Sequence, residues 1–212
     1  MFIETLDALR CTNDHEDTWL VASFRTVSNR FVQEATLGCP VCSAKYNIEK
    51  GIADFTRGEA VLSCEEERSH ASHQREELAT RAGAYLNATE PGATIALGGV
   101  WAYAARDLSE MADVRVLALN ASSKIGETER VGLVRVAADI PVAPASLMGI
   151  ALDAWFPRKI LESALRALRP GGRIVAPTEL AAPAGVQVLA RDQSYWVAQK
   201  PPEVITLRRA RP

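Results

Sequence analysis

The segment at residues 93–120, ATIALGGVWAYAARDLSEMADVRVLALN, carries the clearest structural pattern of this 212-residue chain. Residues 94–97 form an apolar run without charge, which is typical of a strand buried on both faces. Gly98 and Gly99 end that run in a tight turn. A helical stripe then predicts buried side chains at Trp101, Ala104, Ala105, Leu108 and Met111. Residues 114–119 repeat the buried-strand pattern. The segment therefore predicts the opening βαβ unit of a doubly wound α/β domain, in which the glycine turn faces a ligand.

The glycine turn departs from the usual nucleotide-binding pattern in two places. Such a turn normally has a third glycine, because backbone amides must approach the ligand closely. Here Val100 and Trp101 follow the two glycines directly. The next strand normally ends in an acid that holds ribose hydroxyls, whereas this one ends in Asn120. An amide is a weaker acceptor than a carboxylate. The sequence therefore predicts a ligand site that is either altered or lost.

The rest of the C-terminal part continues the alternation of strands and helices. Apolar runs predict strands at 131–136, 147–152 and 173–176, and a helix after Pro157 that ends at Pro170-Gly171-Gly172. Residues 186–190 and 195–199 are typical of an antiparallel pair, and residues 204–207 of a last edge strand. This pattern predicts a mostly parallel sheet covered on both faces, with antiparallel strands at its end.

Composition excludes several classes of protein. The formal net charge is −2, so charge does not indicate nucleic-acid binding. No apolar run is long enough for a membrane span, and the first residues lack the pattern of a signal peptide, so we expect a cytoplasmic protein. The histidines are His15, His70 and His73, and none belongs to a Ser/His/Asp set. We expect His70 and His73 to lie on a solvated helix face.

The cysteines cluster in the first third of the chain, which in a cytoplasmic protein favours metal over disulfide. Cys39-Pro-Val-Cys42 is a knuckle whose two thiolates face one tetrahedral ion. Cys11 supplies a third thiol, and His15 is the fourth ligand that we expect. Two alternatives stay open: Asp14 as the fourth ligand, or a decayed site with ordinary thiols. Cys64 is predicted to lie outside the site.

These N-terminal motifs resemble a known family. The order LRC at residues 9–11, LGCPVC at 37–42 and YNIEKGI at 46–52 is similar to the small zinc-binding activator subunit of tRNA, rRNA and protein methyltransferases. The resemblance implies a small zinc-ribbon-like β domain at residues 1–56 that covers an apolar face of a methyltransferase. Residues 57–92 are then a linker and a helix, and residues 93–212 form the second domain.

The second domain resembles class I S-adenosylmethionine-dependent methyltransferases. LRALRPGGRIV at residues 165–175 is similar to the helix-turn-strand that follows that family's catalytic strand. The resemblance implies a Rossmann-like domain that binds S-adenosylmethionine. Asp139 stands where the family has an acid that contacts adenine, and Asp153 where the catalytic strand ends beside the methyl donor. The cofactor-binding residues implied are Gly98, Gly99, Asn120 and Asp139, and the implied catalytic residue is Asp153.

Two functions remain open from the sequence. The first is a methyltransferase with its activator-type domain built in, acting on an unknown substrate. The second is a non-catalytic descendant that serves as a binding, scaffold or regulatory protein, with a protein partner or a second copy of itself. The two departures at Val100 and Asn120 favour the second.

Overall fold

A computed structural model describes residues 1–61 and 72–202 of the chain. The described residues form strands and helices in alternation after an N-terminal run of strands. The helices are α1 (Ser72–Leu86), α2 (Ala105–Met111) and α3 (Ile160–Ala167). Short 3-10 helices lie at Ile3–Ala8, Gly99–Ala104 and Ser123–Ile125.

The strands that the sequence predicts within residues 93–199 are present, although the one predicted at 173–176 begins five residues earlier. In chain order they are β1 (Val21–Ser28), β2 (Phe31–Gly38), β3 (Lys45–Glu49), β4 (Ile52–Asp54), β5 (Thr94–Gly98), β6 (Arg115–Leu119), β7 (Val131–Arg135), β8 (Leu147–Ala151), β9 (Leu168–Pro177), β10 (Gln187–Arg191) and β11 (Tyr195–Gln199).

All of these strands belong to one mixed sheet with the order β1-β2-β3-β4-β7-β6-β5-β8-β9-β11-β10. The strands from β4 to β9 in this order are parallel, and β11 is antiparallel to both β9 and β10. The predicted α/β sheet with parallel strands and a terminal antiparallel pair is therefore confirmed.

The N-terminal strands extend this sheet. Strands β1 to β4 form an antiparallel meander. Strand β4 then pairs in parallel with β7, with Ile52 opposite Leu133 and Asp54 opposite Arg135. The strands of residues 1–56 and of residues 93–212 are thus joined by backbone hydrogen bonds.

Two hydrophobic clusters cover the two faces of the sheet. One contains side chains of α3, together with Tyr46 and Ile48 of β3 and Phe156. The other contains side chains of α1 and α2, together with Trp101. Strands β5 to β8 contribute to both clusters, which explains why their sequences are continuously apolar.

Two details differ from the sequence-based expectation. The helix after the glycine turn begins as a 3-10 helix and is short, so Met111 lies at its end and is 56% exposed rather than buried. Pro170-Gly171-Gly172 does not separate helix from strand: α3 ends at Ala167 and these residues lie in β9, where Gly171 donates its N–H to Lys200 O.

Some expectations concern residues outside those that the structure describes, namely the strand at 204–207 and the placement of Cys64 and His70. His73 is exposed on α1, as expected. Among the described residues, no helix is both long and apolar enough to cross a bilayer.

Candidate functional site

The glycine turn lies at the carboxyl end of β5, the sheet edge where doubly wound folds bind ligands. Gly98 has an ordinary extended backbone, whereas Gly99 has φ +63°. A side chain at Gly99 would be strained by that conformation and would also overlap the carboxylate of Asp153. The two predicted glycines therefore permit a close approach, but the approaching group belongs to the chain itself.

Asp153 follows β8 and is hydrogen-bonded to the turn. Its Oδ2 accepts from the Val100 backbone N–H at 2.7 Å, and its Oδ1 accepts from the Trp155 backbone N–H at 3.0 Å. Only 5% of Asp153 is exposed, and this burial raises the pKa of its carboxyl group in spite of the two hydrogen bonds. The backbone donor that the turn presents at Val100 is thus used by a carboxylate of the same chain.

Phe156 covers the other glycine. A Cβ at Gly98 would lie 2.5 Å from Phe156 Cε2, so the ring packs directly on the turn. Phe156 is 5% exposed and belongs to a hydrophobic core cluster. The aromatic ring therefore fills the space above Gly98.

The side chain of Asn120 is hydrogen-bonded to the backbone of Val136, just after the end of β7. Its Nδ2 donates to Val136 O at 2.9 Å, and the Val136 N–H donates to its Oδ1 at 2.8 Å. The residue is 6% exposed and has φ +51°, a conformation that asparagine tolerates better than most residues. This reciprocal pair fixes the loop that follows β7. Asp139, three residues beyond Val136, is half-buried.

The structure thus brings Gly98, Gly99 and Asp153 together. It places Asn120 between the ends of β6 and β7, with its amide already paired. Val100 and Phe156 complete the arrangement. The sequence pattern does not identify the Val100 amide as a donor to Asp153, because that contact joins residues 53 positions apart.

A second candidate site lies in the N-terminal strands. The side chains of Cys11, His15, Cys39 and Cys42 place one ligand atom each within 4.8 Å of all the others. Cys11 Sγ lies 3.6 Å from Cys42 Sγ, and Cys39 Sγ lies 3.3 Å from His15 Nε2. Tetrahedral zinc with these ligands requires separations of about 3.6 to 3.8 Å, from its bond lengths. The four side chains are therefore compatible with one zinc ion after small adjustments of their positions.

The histidine is oriented for this role. His15 Nδ1 hydrogen-bonds Glu16 O at 2.6 Å, which leaves Nε2 toward the thiols and raises the pKa of the imidazole. Asp14 is exposed and does not belong to the cluster. The hydrogen bond from the Ala44 backbone N–H is the main cause that lowers the pKa of Cys42 to about 6. Burial raises the pKa of the Cys11 thiol.

Further side chains surround the cysteine cluster, and the sequence pattern points to only one of them. Asn13 Nδ2 donates to Cys42 Sγ at 3.0 Å, and Tyr46 Oη lies 3.2 Å from Cys11 Sγ. Arg57 hydrogen-bonds Asn13 Oδ1 and lies over the Tyr46 ring. Tyr46 opens the YNIEKGI motif, which is the signal that could have identified it; Asn13 and Arg57 have none.

No protein-family model matches the sequence, and no curated protein matches it. Solved structures do share its fold. The [4+2]-cyclase SpnF is 14% identical, and the match covers 65% of this chain and 86% of the cyclase with a TM-score of 0.50. This match and the strand order show that the chain has a Rossmann-like fold. A putative S-adenosylmethionine-dependent methyltransferase from Methanococcus maripaludis is 12% identical over 63% of this chain and 87% of its own, with a TM-score of 0.44.

A third neighbour is a putative sarcosine dimethylglycine methyltransferase from Galdieria sulphuraria. It is 20% identical, with a TM-score of 0.40, and the match covers 49% of this chain and 46% of that protein. The chain thus spans less than half the length of this neighbour. At 14% identity the match to the cyclase shows the fold alone, and the chemistry of the chain must be argued from its site residues.

Proposed function

We propose that the chain is a non-catalytic protein of methyltransferase type that is stabilised by zinc and acts by binding a protein partner. The observation that carries this proposal is the filled glycine turn. Asp153 and Phe156 occupy the space against Gly99 and Gly98 in which a cofactor would lie. The site has become part of the packed interior of the protein.

The polar groups of the crevice support the same conclusion. A ligand at the turn would need the Val100 N–H, and displacing Asp153 from it would leave a buried carboxylate without that partner. The Asn120 amide, in the position of the ribose-binding acid, is paired with Val136 in both directions. Binding S-adenosylmethionine would therefore require breaking hydrogen bonds that already stabilise the fold.

In this proposal Cys11, His15, Cys39 and Cys42 hold zinc. Four protein ligands leave no open coordination position, which is the arrangement of structural rather than catalytic zinc. The metal would tie the segment before β1 to the turn between β2 and β3. Residues 1–56 would be the zinc-ribbon-like activator-type domain that the sequence resembles, docked in the same chain through the β4–β7 pairing.

The exposed edge of the sheet supports a role in binding. Among the described strands, β1 pairs with β2 alone, and Val21, Phe24 and Val27 are between 44% and 65% exposed along it. Trp19, just before β1, is 66% exposed. An exposed edge with apolar side chains favours contact with another chain. The partner is a different protein or a second copy of this chain, in the cytoplasm. Light scattering at increasing concentration distinguishes the two, because only self-association raises the mass of the pure protein.

Calorimetric titration with S-adenosylmethionine and S-adenosylhomocysteine tests the proposal, with zinc measured on the same sample. We expect about one zinc per chain and no binding heat with either nucleoside at millimolar concentration. Binding at micromolar affinity, about −8 kcal/mol, would overturn the non-catalytic assignment.

Micromolar binding of either compound would favour an S-adenosylmethionine-dependent methyltransferase with a built-in activator-type domain. One observation supports this candidate: Asp153 is a buried carboxylate at the end of β8, beside the glycine turn. In this function Gly98, Gly99, Asn120 and Asp139 would hold the cofactor, and Asp153 would accept a hydrogen bond from the methyl acceptor. Asp153→Asn would then reduce methyl transfer more than it reduced cofactor affinity.

A further inference from the structure

A cavity of about 510 Å³ lies on the sheet surface over β3, β4 and the end of β7. It is distinct from the glycine turn and is lined partly by Lys45, Asn47, Glu49, Asp54 and Arg135. Its volume is within the range of about 300 to 1,000 Å³ that small-molecule sites occupy. The cavity is therefore large enough for a small ligand.

The cavity lies beside the short connection between β6 and β7, which contributes Ser123 to its lining. That connection holds a 3-10 helix of three residues, Ser123–Ile125, where a doubly wound fold usually has a helix that covers the sheet. The sheet face left beside it carries polar side chains. Lys45, Asn47 and Glu49 alternate with the buried Tyr46 and Ile48 along β3. A polar lining of this kind suits a polar ligand better than an apolar partner.

Positive charge is concentrated at this cavity, although residues 1–92 are acidic overall. Residues 1–92 carry 9 basic and 15 acidic side chains, yet three of those nine basic residues line this one cavity. These are Lys45, Lys50 and Arg57, and Arg135 of β7 is the fourth. The acids in the lining are Glu49 and Asp54, so the balance of four and two leaves two positive charges in surplus.

Among the described residues, Glu49 and Asp54 form no ion pair with the basic side chains of the cavity. Asp54 Oδ1 accepts from the backbone N–H and the hydroxyl of Thr56, at 2.8 and 2.7 Å, so this oxygen is used within the turn that follows β4. The Arg135 backbone carbonyl accepts from the Phe55 N–H, but its guanidinium forms no hydrogen bond or ion pair with the described residues. Arg57 is held at the cavity by Asn13 and by Tyr46 Oη, the latter at 3.4 Å. One arginine is thus fixed in place and another is available to a ligand.

We propose that this cavity binds the phosphate group of a small phosphate monoester. Arg135 and Arg57 are fork-shaped donors that match phosphate oxygens, and Lys45 and Lys50 add positive charge. Glu49 and Asn47 accept hydrogen bonds from hydroxyl groups on the rest of the ligand. The site is independent of S-adenosylmethionine binding and does not require the glycine turn.

Titration of the full-length, zinc-containing protein with inorganic phosphate and with ribose 5-phosphate tests the proposal. Amide chemical shifts are followed by NMR at constant ionic strength in chloride. We expect saturable shifts around Lys45 and Arg135 at millimolar ligand, with ribose 5-phosphate binding more tightly than phosphate. Arg135→Gln should weaken the affinity by about tenfold or more, because it removes a charged hydrogen-bond donor.

Arg25→Gln is the matched control, because Arg25 is exposed on β1, away from the cavity lining. It should leave the affinity unchanged, and Lys45→Gln provides a second variant in the cavity. Thermal denaturation checks that each variant is folded. Absence of saturable shifts, equal affinities for wild type and Arg135→Gln, or equal weakening by Arg25→Gln would each overturn the proposal.

Discussion

The cysteine cluster and the glycine turn are both sites that the sequence indicates, and they differ in how the chain uses their polar atoms. At the cluster, three thiols and an imidazole point toward one another within 4.8 Å. At the turn, the available backbone donor and the space above the glycines are taken by Asp153 and Phe156. In the proposed function, the first site keeps the geometry for a metal ion, and the second has side chains of the same chain where a cofactor would lie.

We expect the largest effect on stability from loss of the metal. Cys39→Ser should abolish zinc binding, because serine is a poor zinc ligand, and should unfold the N-terminal strands. Structural zinc sites contribute about 10–16 kcal/mol of apparent binding free energy in zinc-finger peptides. Zinc content by mass spectrometry and thermal denaturation measure the effect. Asp14→Asn is the control and should keep both zinc and stability, because Asp14 is exposed and lies outside the cluster. Equal zinc in Cys39→Ser would contradict the ligand assignment.

Removal of the ring over Gly98 should give the next largest effect. Phe156→Ala should lower the free energy of unfolding by about 3–5 kcal/mol, as expected for a buried phenylalanine. Urea denaturation measures it, and Phe24→Ala is the control, because Phe24 is 47% exposed. A cost for Phe156→Ala as small as that for Phe24→Ala would mean that the ring is not part of the packed core.

The Asn120 pair predicts a smaller loss. Asn120→Asp restores the acid that nucleotide sites have, but it removes the donor to Val136 O and buries a charge. The free energy of unfolding should fall by roughly 1–3 kcal/mol at neutral pH. Asn87→Asp is a suitable comparison, since Asn87 also has positive φ but is exposed. An unchanged stability in Asn120→Asp would show that the amide is not needed there.

The smallest expected effect is a change of stability with pH. Burial raises the pKa of Asp153 in the folded protein above its ordinary value of 3.8, so the folded state binds its proton more tightly than the unfolded state. The contribution to stability is complete below 3.8 and is lost as pH rises through the raised folded pKa. Asp153→Asn should remove this loss from denaturation curves recorded across that range. Parallel pH profiles of wild type and variant would contradict the assignment.

The sequence predicts the fold well because its signal is local. Continuous apolar runs such as 94–97 and 147–152 indicate buried strands, and the alternation with helices indicates a parallel sheet. The pairing of β4 with β7 cannot be predicted from a local motif, because the two strands are about 80 residues apart in the sequence. The exposure of Met111 reflects the short helix α2, whose end a helical stripe does not fix.

The candidate sites follow the same rule. The Cys-x-x-Cys knuckle identifies two metal ligands locally. Cys11 and His15 can be predicted as the other two because cysteine and histidine are common zinc ligands. The filled turn depends on Asp153 and Phe156 reaching back across more than 50 residues to Val100 and Gly98, which spacing alone does not reveal. Replacement of the third glycine by bulky Val100 and Trp101 is the only local sign of it.

The NMR signal of the Val100 amide during titration with S-adenosylhomocysteine reports directly on whether a ligand enters the glycine turn. We predict that this signal and those of Gly98 and Gly99 do not shift at millimolar ligand, because the Val100 N–H remains bonded to Asp153. A saturable shift of all three would show that a nucleoside displaces Asp153, and it would contradict the account of a site filled by its own chain.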